Sequence, residues 1–236
     1  MQIQKKTNKI PLEKESQDIL GHKEIKIQTM QQKQEKILKV ASELFLKYGY
    51  QKTNLQMIIQ QTGGSFATIY KFFETKENLF EKVIESNQKE FVKTLNEIFV
   101  QSIDSNLNIE KYFYNIGLCL VYEILKGNNI AWMRLMIIEA YNNPNLVKIF
   151  NSSANEIHYF FTQGIEYYNN KYNLEIQKNK IEEYSRLLVR LIIEPYFLFP
   201  LLDSNYKPPK REEIKSNLKT AIKIFILYLK NNKENQ

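Results

Sequence analysis

The stretch Thr62-Gly63-Gly64-Ser65, set between two short segments of helical pattern, constrains this chain more than any other. Asn54 suits the N-cap of a helix carrying Leu55, Ile58 and Ile59, and Ser65 suits the N-cap of one running from Phe66 to about Phe73. A turn of three or four residues between steeply crossing helices needs a position that accepts positive φ and close backbone approach, which Gly63 supplies. Upstream, Ile37, Ala41, Leu44, Phe45 and Tyr48 recur at helical spacing, Lys36, Lys39, Glu43 and Lys47 take the other side, and Gly49 follows as a stop. Three such helices in succession outline a helix-turn-helix, whose last helix enters the major groove with its N-terminal residues leading. Phe66, Ala67, Thr68 and Lys71 are therefore expected nearest the DNA.

Charge placement agrees. From Leu44 to Phe73 the chain has three lysines, Lys47, Lys52 and Lys71, and no acid, although it holds 26 Asp and Glu in all. A stretch so free of acid suits a surface facing phosphates. The overall surplus of +7 adds little by itself. Gly 7 and Pro 6 against 43% hydrophobic residues give too little punctuation for a many-stranded fold and too much apolar content for disorder, so an all-α fold is expected. A single cysteine, Cys119, excludes an internal disulfide, and His22 and His158 stand far apart, so neither a metal nor a cofactor is expected. The first 30 residues lack the apolar run of a signal peptide. The most apolar stretch, Leu187 to Leu202, contains Arg190, Glu194, Pro195 and Pro200 and is shorter than the roughly 20 residues of a membrane span. No membrane association and a cytoplasmic location follow as expectations.

Along the chain, residues 1–30 read as a flexible basic tail, 31–75 as the helix-turn-helix domain, and 76–236 as a larger helical domain. The tail carries Lys5, Lys6, Lys9, Lys14, Lys23 and Lys26, diluted by Glu13, Glu15, Asp18 and Glu24; it reads as a solubilising extension or as an arm along DNA. Thr75 opens a long fourth helix on which Leu79, Phe80, Val83, Ile84, Phe91, Leu95 and Phe99 keep the period. Further helices are expected at about 108–126, 130–141, 144–168, 178–199 and 210–230, about nine in total.

The segment "ILKVASELFLKYGYQKTNLQMIIQQTGGSFATIYKFFETKENLF" resembles the DNA-binding domain of TetR-family transcriptional regulators. Ala41, Leu44, Phe45, Gly49, Tyr50, Thr53, Ile58, Gly63, Ser65, Ile69, Tyr70, Phe73, Lys76, Glu77, Leu79 and Phe80 match the family's pattern in register. The resemblance implies that Tyr70 turns its hydroxyl to a phosphate, that Thr53 and the amides beginning the second helix hold another, and that Lys76 contacts the DNA backbone. With Lys52, Ser65, Phe66, Ala67, Thr68 and Lys71, these form the candidate DNA-binding set. Where the family often has a basic residue and then Gly, this chain has Phe66 and Ala67, so the operator does not carry over. The chain also has Ile59 and Gly64 where the family tends to have Ala and then Val or Ile; bulk gained at Ile59 is expected to offset bulk lost at Gly64.

The remaining half has no Gly-rich phosphate loop, no metal-ligand spacing and no Ser/His/Asp or Cys/His set, so it is not read as an enzyme. Its aromatics and methionines suit an apolar pocket between helices, and Tyr112, Trp132, Met133, Met136, Tyr159 and Phe160 are the candidate lining residues. "AWMRLMIIEAYNNPNLVKIF" resembles the C-terminal domain of the subgroup related to the AefR regulator, in which Arg134 and Glu139 are expected to pair with each other or with backbone. Family members dimerise through their last two long helices. The resemblance thus implies an interface through Leu187 and Leu191 on one helix and Leu218, Ile222 and Phe225 on the next. The expectation is a homodimeric repressor that binds a palindromic double-stranded DNA operator and is released by a small apolar or amphipathic effector. The alternative is a helical protein-interaction adaptor that does not bind DNA.

Overall fold

The computed structural model describes residues 12–105 and 107–233. Among the described residues there are ten α-helices and no strand. They are α1 (Leu12–Lys52), α2 (Leu55–Thr62), α3 (Phe66–Phe73), α4 (Lys76–Asp104), α5 (Ile109–Ile124), α6 (Gly127–Ala140), α7 (Pro144–Tyr172), α8 (Lys178–Ile193), α9 (Leu198–Leu202) and α10 (Arg211–Lys233).

Two departures from the sequence reading have plain causes. Helix α1 begins at Leu12, inside the segment read as a tail, while residues 1–11 lie outside the described residues. Residues 12–36 are rich in Glu, Lys and Gln, good helix formers, so propensity supports a helix where no apolar stripe announces one. The helix expected over 178–199 is instead α8, a 3₁₀ turn at Glu194–Tyr196, and α9. Pro195 lacks the amide hydrogen that would continue α8, and its ring crowds the preceding turn.

Two apolar cores hold the helices together. The larger gathers Tyr112, Phe113, Phe161, Tyr168 and Phe225 with aliphatic residues of α5, α7, α8 and α10. The other lies beneath the helix-turn-helix, where Ile37, Ala41, Leu44 and Phe45 of α1 meet Ile58 of α2, Ile69 and Phe73 of α3, and Leu79, Phe80, Val83 and Ile84 of α4. Trp132 and Met136 of α6 and Leu146 of α7 close this second core. Packing therefore crosses the expected boundary at 75/76. Burying each large apolar side chain contributes about 1.5–3 kcal/mol, so separating α4 and α6 from α1–α3 would forfeit several such terms.

Candidate nucleic-acid interface and effector cavity

The turn is built as the sequence implies. Asn54 accepts from the Met57 amide at 3.0 Å to cap α2, and Ser65 accepts from the Thr68 amide at 3.2 Å to cap α3. Gly63 takes φ 73°, ψ 20°, and its amide closes the end of α2 on the Ile59 carbonyl at 2.9 Å. Lys36 adds a contact that the sequence did not announce: its ammonium donates to the Thr62 carbonyl at 2.9 Å and closes the C-terminus of α2 from α1. The proposed exchange of bulk between Ile59 and Gly64 is not what the packing contains. A Cβ at Gly64 would meet only the Thr62 hydroxyl oxygen, at 3.6 Å, so the two positions share no space.

Helix α3 has two faces. Ile69 and Phe73 are buried, whereas Phe66, Ala67, Tyr70 and Lys71 are exposed and Thr68 is half-buried. Phe66 and Tyr70, one turn apart, stack with ring centroids 6.4 Å apart and planes 23° apart. That leaves a flat aromatic step, a hydroxyl and a lysine on a helix without acid. Lys52, exposed at the end of α1, belongs to the same basic stretch.

Two expected phosphate ligands are placed differently. Thr53 is completely buried, and its hydroxyl donates to the carbonyls of Leu44 at 3.1 Å and Gly49 at 2.8 Å. It holds the bend at Gly49, where φ 80°, ψ 166° lies in a region essentially confined to glycine, so the hydroxyl is not offered to DNA. The Lys76 ammonium lies 4.2 Å from the centroid of the Tyr50 ring. Burial holds its pKa below the usual lysine value, opposed by the negative charge of Glu139. Its side chain is thus turned toward the joint between the cores. The Thr75 hydroxyl caps α4 by accepting from the Asn78 amide at 3.0 Å.

Between the cores lies a cavity of about 180 Å³. Its walls come from α4 (Ile84, Asn87, Gln88, Phe91), α5 (Leu120, Ile124), α6 (Asn129, Trp132, Met133, Met136), α7 (Phe150, Ser153, Ala154, Ile157, His158), α8 (Val189, Ile193) and Phe197. Trp132, Met133 and Met136 line it as expected. Tyr112 and Phe160 do not, because both are core: the Tyr112 hydroxyl donates to the Phe160 carbonyl at 2.8 Å, and burial pushes its pKa above the tyrosine range. Tyr159 is 56% exposed and does not line this cavity. Phe91, Asn87 and His158 were missed, the first two because α4 reads as a connecting helix. His158 has its pKa lowered by burial and then by Arg186 and Arg190, so its imidazole is neutral.

Leu218, Ile222 and Phe225, expected at a dimer interface, are buried in the larger core of the single chain. The apolar residues that α10 exposes are Ile224, Leu227 and Tyr228, beside Leu187 on α8 and half-buried Leu191. Arg134 bonds to backbone and not to Glu139. It donates to the Pro200 and Asp203 carbonyls, the latter at 2.6 Å, and so closes the end of α9. Glu139 accepts from Gln51 Nε2 at 3.3 Å, tying α6 to the end of α1. Among the described residues no group of His, Cys, Asp and Glu could hold a metal, and no helix is long and apolar enough to cross a membrane.

An acid-free helix with an exposed face, following a glycine turn and seated on a core shared with a larger helical unit, has the form of a helix-turn-helix. Residues 37–83 match the family of bacterial regulatory proteins described as the tetR family. Over 138 residues the chain is 29% identical to the HTH-type transcriptional regulator QacR of Staphylococcus aureus, spanning 55% of this chain and 69% of that protein. Over 80 residues it is 28% identical to the HTH-type regulator YhgD of Bacillus subtilis, spanning 34% of this chain and 42% of that protein. The fold is similar to a solved TetR-family regulator of Mesorhizobium loti, with a TM-score of 0.76, 17% identity and coverage of 84% of this chain and 97% of that one. It is also similar to Salmonella enterica GusR, with a TM-score of 0.58, 19% identity and coverage of 84% and 95%. The tetR-family match thus falls on the helix-turn-helix segment, and the chain as a whole is similar in fold to solved TetR-family regulators.

Proposed function

We propose that this regulator is a repressor that binds a palindromic operator as a homodimer and is released when a small apolar or amphipathic effector fills the cavity between the cores. The observation that carries this reading is the position of Trp132. Its indole lines the cavity and packs on Phe80 at 6.3 Å, and Phe80 meets Tyr50 at 4.8 Å and Phe45 at 5.0 Å inside the helix-turn-helix core. A ligand that moves Trp132 or α4 therefore pushes on the element that carries α3. A coupling of about 1–3 kcal/mol reduces operator affinity roughly 5- to 150-fold, enough to switch a gene. The exposed set on α3, with Lys52 and Ser65, supplies the DNA face; Phe66 and Ala67 reach bases while Tyr70 and Lys71 meet phosphate.

Second apolar faces on α8 and α10 support the homodimer: Leu187 and Leu191 with Ile224, Leu227 and Tyr228. The match of Arg134, Glu139, Pro144 and Leu146 to the AefR-related pattern supports that subgroup for the C-terminal unit, acting on DNA in the cytoplasm. Sedimentation and DNA anisotropy test the reading together. The native chain is expected to sediment as a dimer and bind a selected palindrome. Leu187→Glu with Ile224→Glu is expected to sediment as a folded monomer with at least tenfold weaker operator binding. A native monomer at micromolar concentration that binds no DNA at low salt would favour a protein-interaction adaptor instead.

A further inference from the structure

The cavity walls restrict the chemistry of what they hold. None of the lining residues is Asp, Glu, Lys or Arg, so a charged ligand would lose its hydration without gaining a counter-ion. A volume of about 180 Å³ sets the size. An apolar protein cavity of about 150 Å³ accommodates benzene, so this one suits a single ring with a small substituent.

Polar atoms set the orientation. Among the buried side-chain polar atoms of the described residues, Asn87 Nδ2 and His158 Nδ1 have no partner, and both residues line the cavity. Two other polar wall groups have partners: Ser153 donates to Gln88 Oε1 at 2.7 Å, and Asn129 Nδ2 donates to the Glu123 carbonyl at 2.6 Å. Asn87 Nδ2 needs an acceptor. A neutral imidazole offers Nδ1 as acceptor or donor, according to tautomer. A hydroxyl serves both atoms with either tautomer, whereas a carbonyl serves only one tautomer and a carboxylate brings an unmatched charge.

Resting on the effector-responsive reading above, we propose that the cavity binds a small neutral ring compound bearing a hydroxyl, a simple phenol in class, which accepts from Asn87 Nδ2 and bonds to His158 Nδ1. Such a ligand ties α4 to α7. Asn87 follows Phe80 by seven residues, two helical turns along the same side of α4, so the tie lies directly behind the helix-turn-helix core.

The test is titration of the full chain with 4-ethylphenol, ethylbenzene and benzoate. It is followed by calorimetry and by the fluorescence of Trp132, the one tryptophan of the chain. Ethylphenol is expected to bind about tenfold or more tighter than ethylbenzene, since two buried polar atoms gain partners, and benzoate is expected not to bind. Asn87→Leu, and independently His158→Leu, should reduce that preference to about threefold or less while ethylbenzene binding holds; the second variant guards against misfolding of the first. Equal affinity of the native chain for ethylphenol and ethylbenzene would assign the two atoms to water and overturn the proposal. Preference for benzoate, or no change in Trp132 fluorescence with any probe, would also overturn it. DNA release is scored separately. Ethylphenol that binds as expected but leaves DNA bound would refute the effector reading and leave the ligand class standing.

Discussion

Replacing Thr53 by Val separates a structural role from a DNA contact. The side chain keeps its shape and its methyl group, so no cavity opens, and the change removes only the hydroxyl that Leu44 and Gly49 carbonyls share. Losing a buried neutral hydrogen bond and leaving its acceptors without that donor costs about 1–2 kcal/mol. In a chain of this length the Tm should fall by about 2–8 °C. Thr53→Ser, which retains the hydroxyl and loses the methyl, should fall by less than Thr53→Val if the hydrogen bond dominates. Thermal unfolding followed by circular dichroism measures the loss, and DNA anisotropy well below the transition measures binding. Operator affinity should stay within about twofold of the native value, with an unchanged salt slope. An unaltered Tm together with uniformly weakened DNA binding and a slope smaller by about one would return Thr53 to the phosphate ligands and refute the structural assignment.

Gly49→Ala forces a Cβ onto a backbone that only glycine adopts readily, and should cost about 1–3 kcal/mol; a variant as stable as the native chain in denaturant titration would contradict the bend. Tyr70→Phe keeps the stacked step with Phe66 and removes a half-exposed hydroxyl, so stability should hold within about 0.5 kcal/mol. Its affinity should fall by about 3- to 10-fold on every sequence alike, and a loss confined to particular bases would contradict phosphate contact. The lowered pKa of His158 has a defined sign. The unfolded chain takes up a proton near pH 6.5 while the folded one resists it, so this part of the stability is present above about pH 6.5 and is lost as pH falls. Subtracting the stability of His158→Gln from that of the native chain between pH 5 and 7.5 should leave a positive slope, and a flat difference would contradict burial of a neutral imidazole.

The helix-turn-helix is legible in the sequence because its determinants are local. Asn54, Gly63 and Ser65 are required by backbone geometry at fixed positions, and each caps or turns as its chemistry demands. The acid-free stretch likewise shows which helices, α2 and α3, carry no acid of their own. Long-range choices are less legible. Helix α10 carries two apolar stripes, and periodicity alone does not say that Leu218, Ile222 and Phe225 face the chain's own core while Ile224 and Leu227 are exposed. The cavity was misread for a similar reason. Bulky Tyr112 and Phe160 fill space and so belong to packing, whereas the space is left beside Asn87 and His158, which no apolar pattern marks. Pro195 was visible, yet the apolar period on either side concealed the break it causes. Thr53 and Lys76 match a DNA-binding pattern in register, but their side chains serve the bend and the joint behind α3.

Selection of bound sequences from a random double-stranded DNA pool tests the central claim most directly, with the native chain and with Tyr70→Phe plus Lys71→Ala. The account predicts that the native chain enriches a palindrome and that the double variant binds the same palindrome more weakly, with a shallower dependence on salt. No enriched sequence at any salt concentration, or an undiminished affinity in the variant, would contradict the assignment of the exposed face of α3 to DNA.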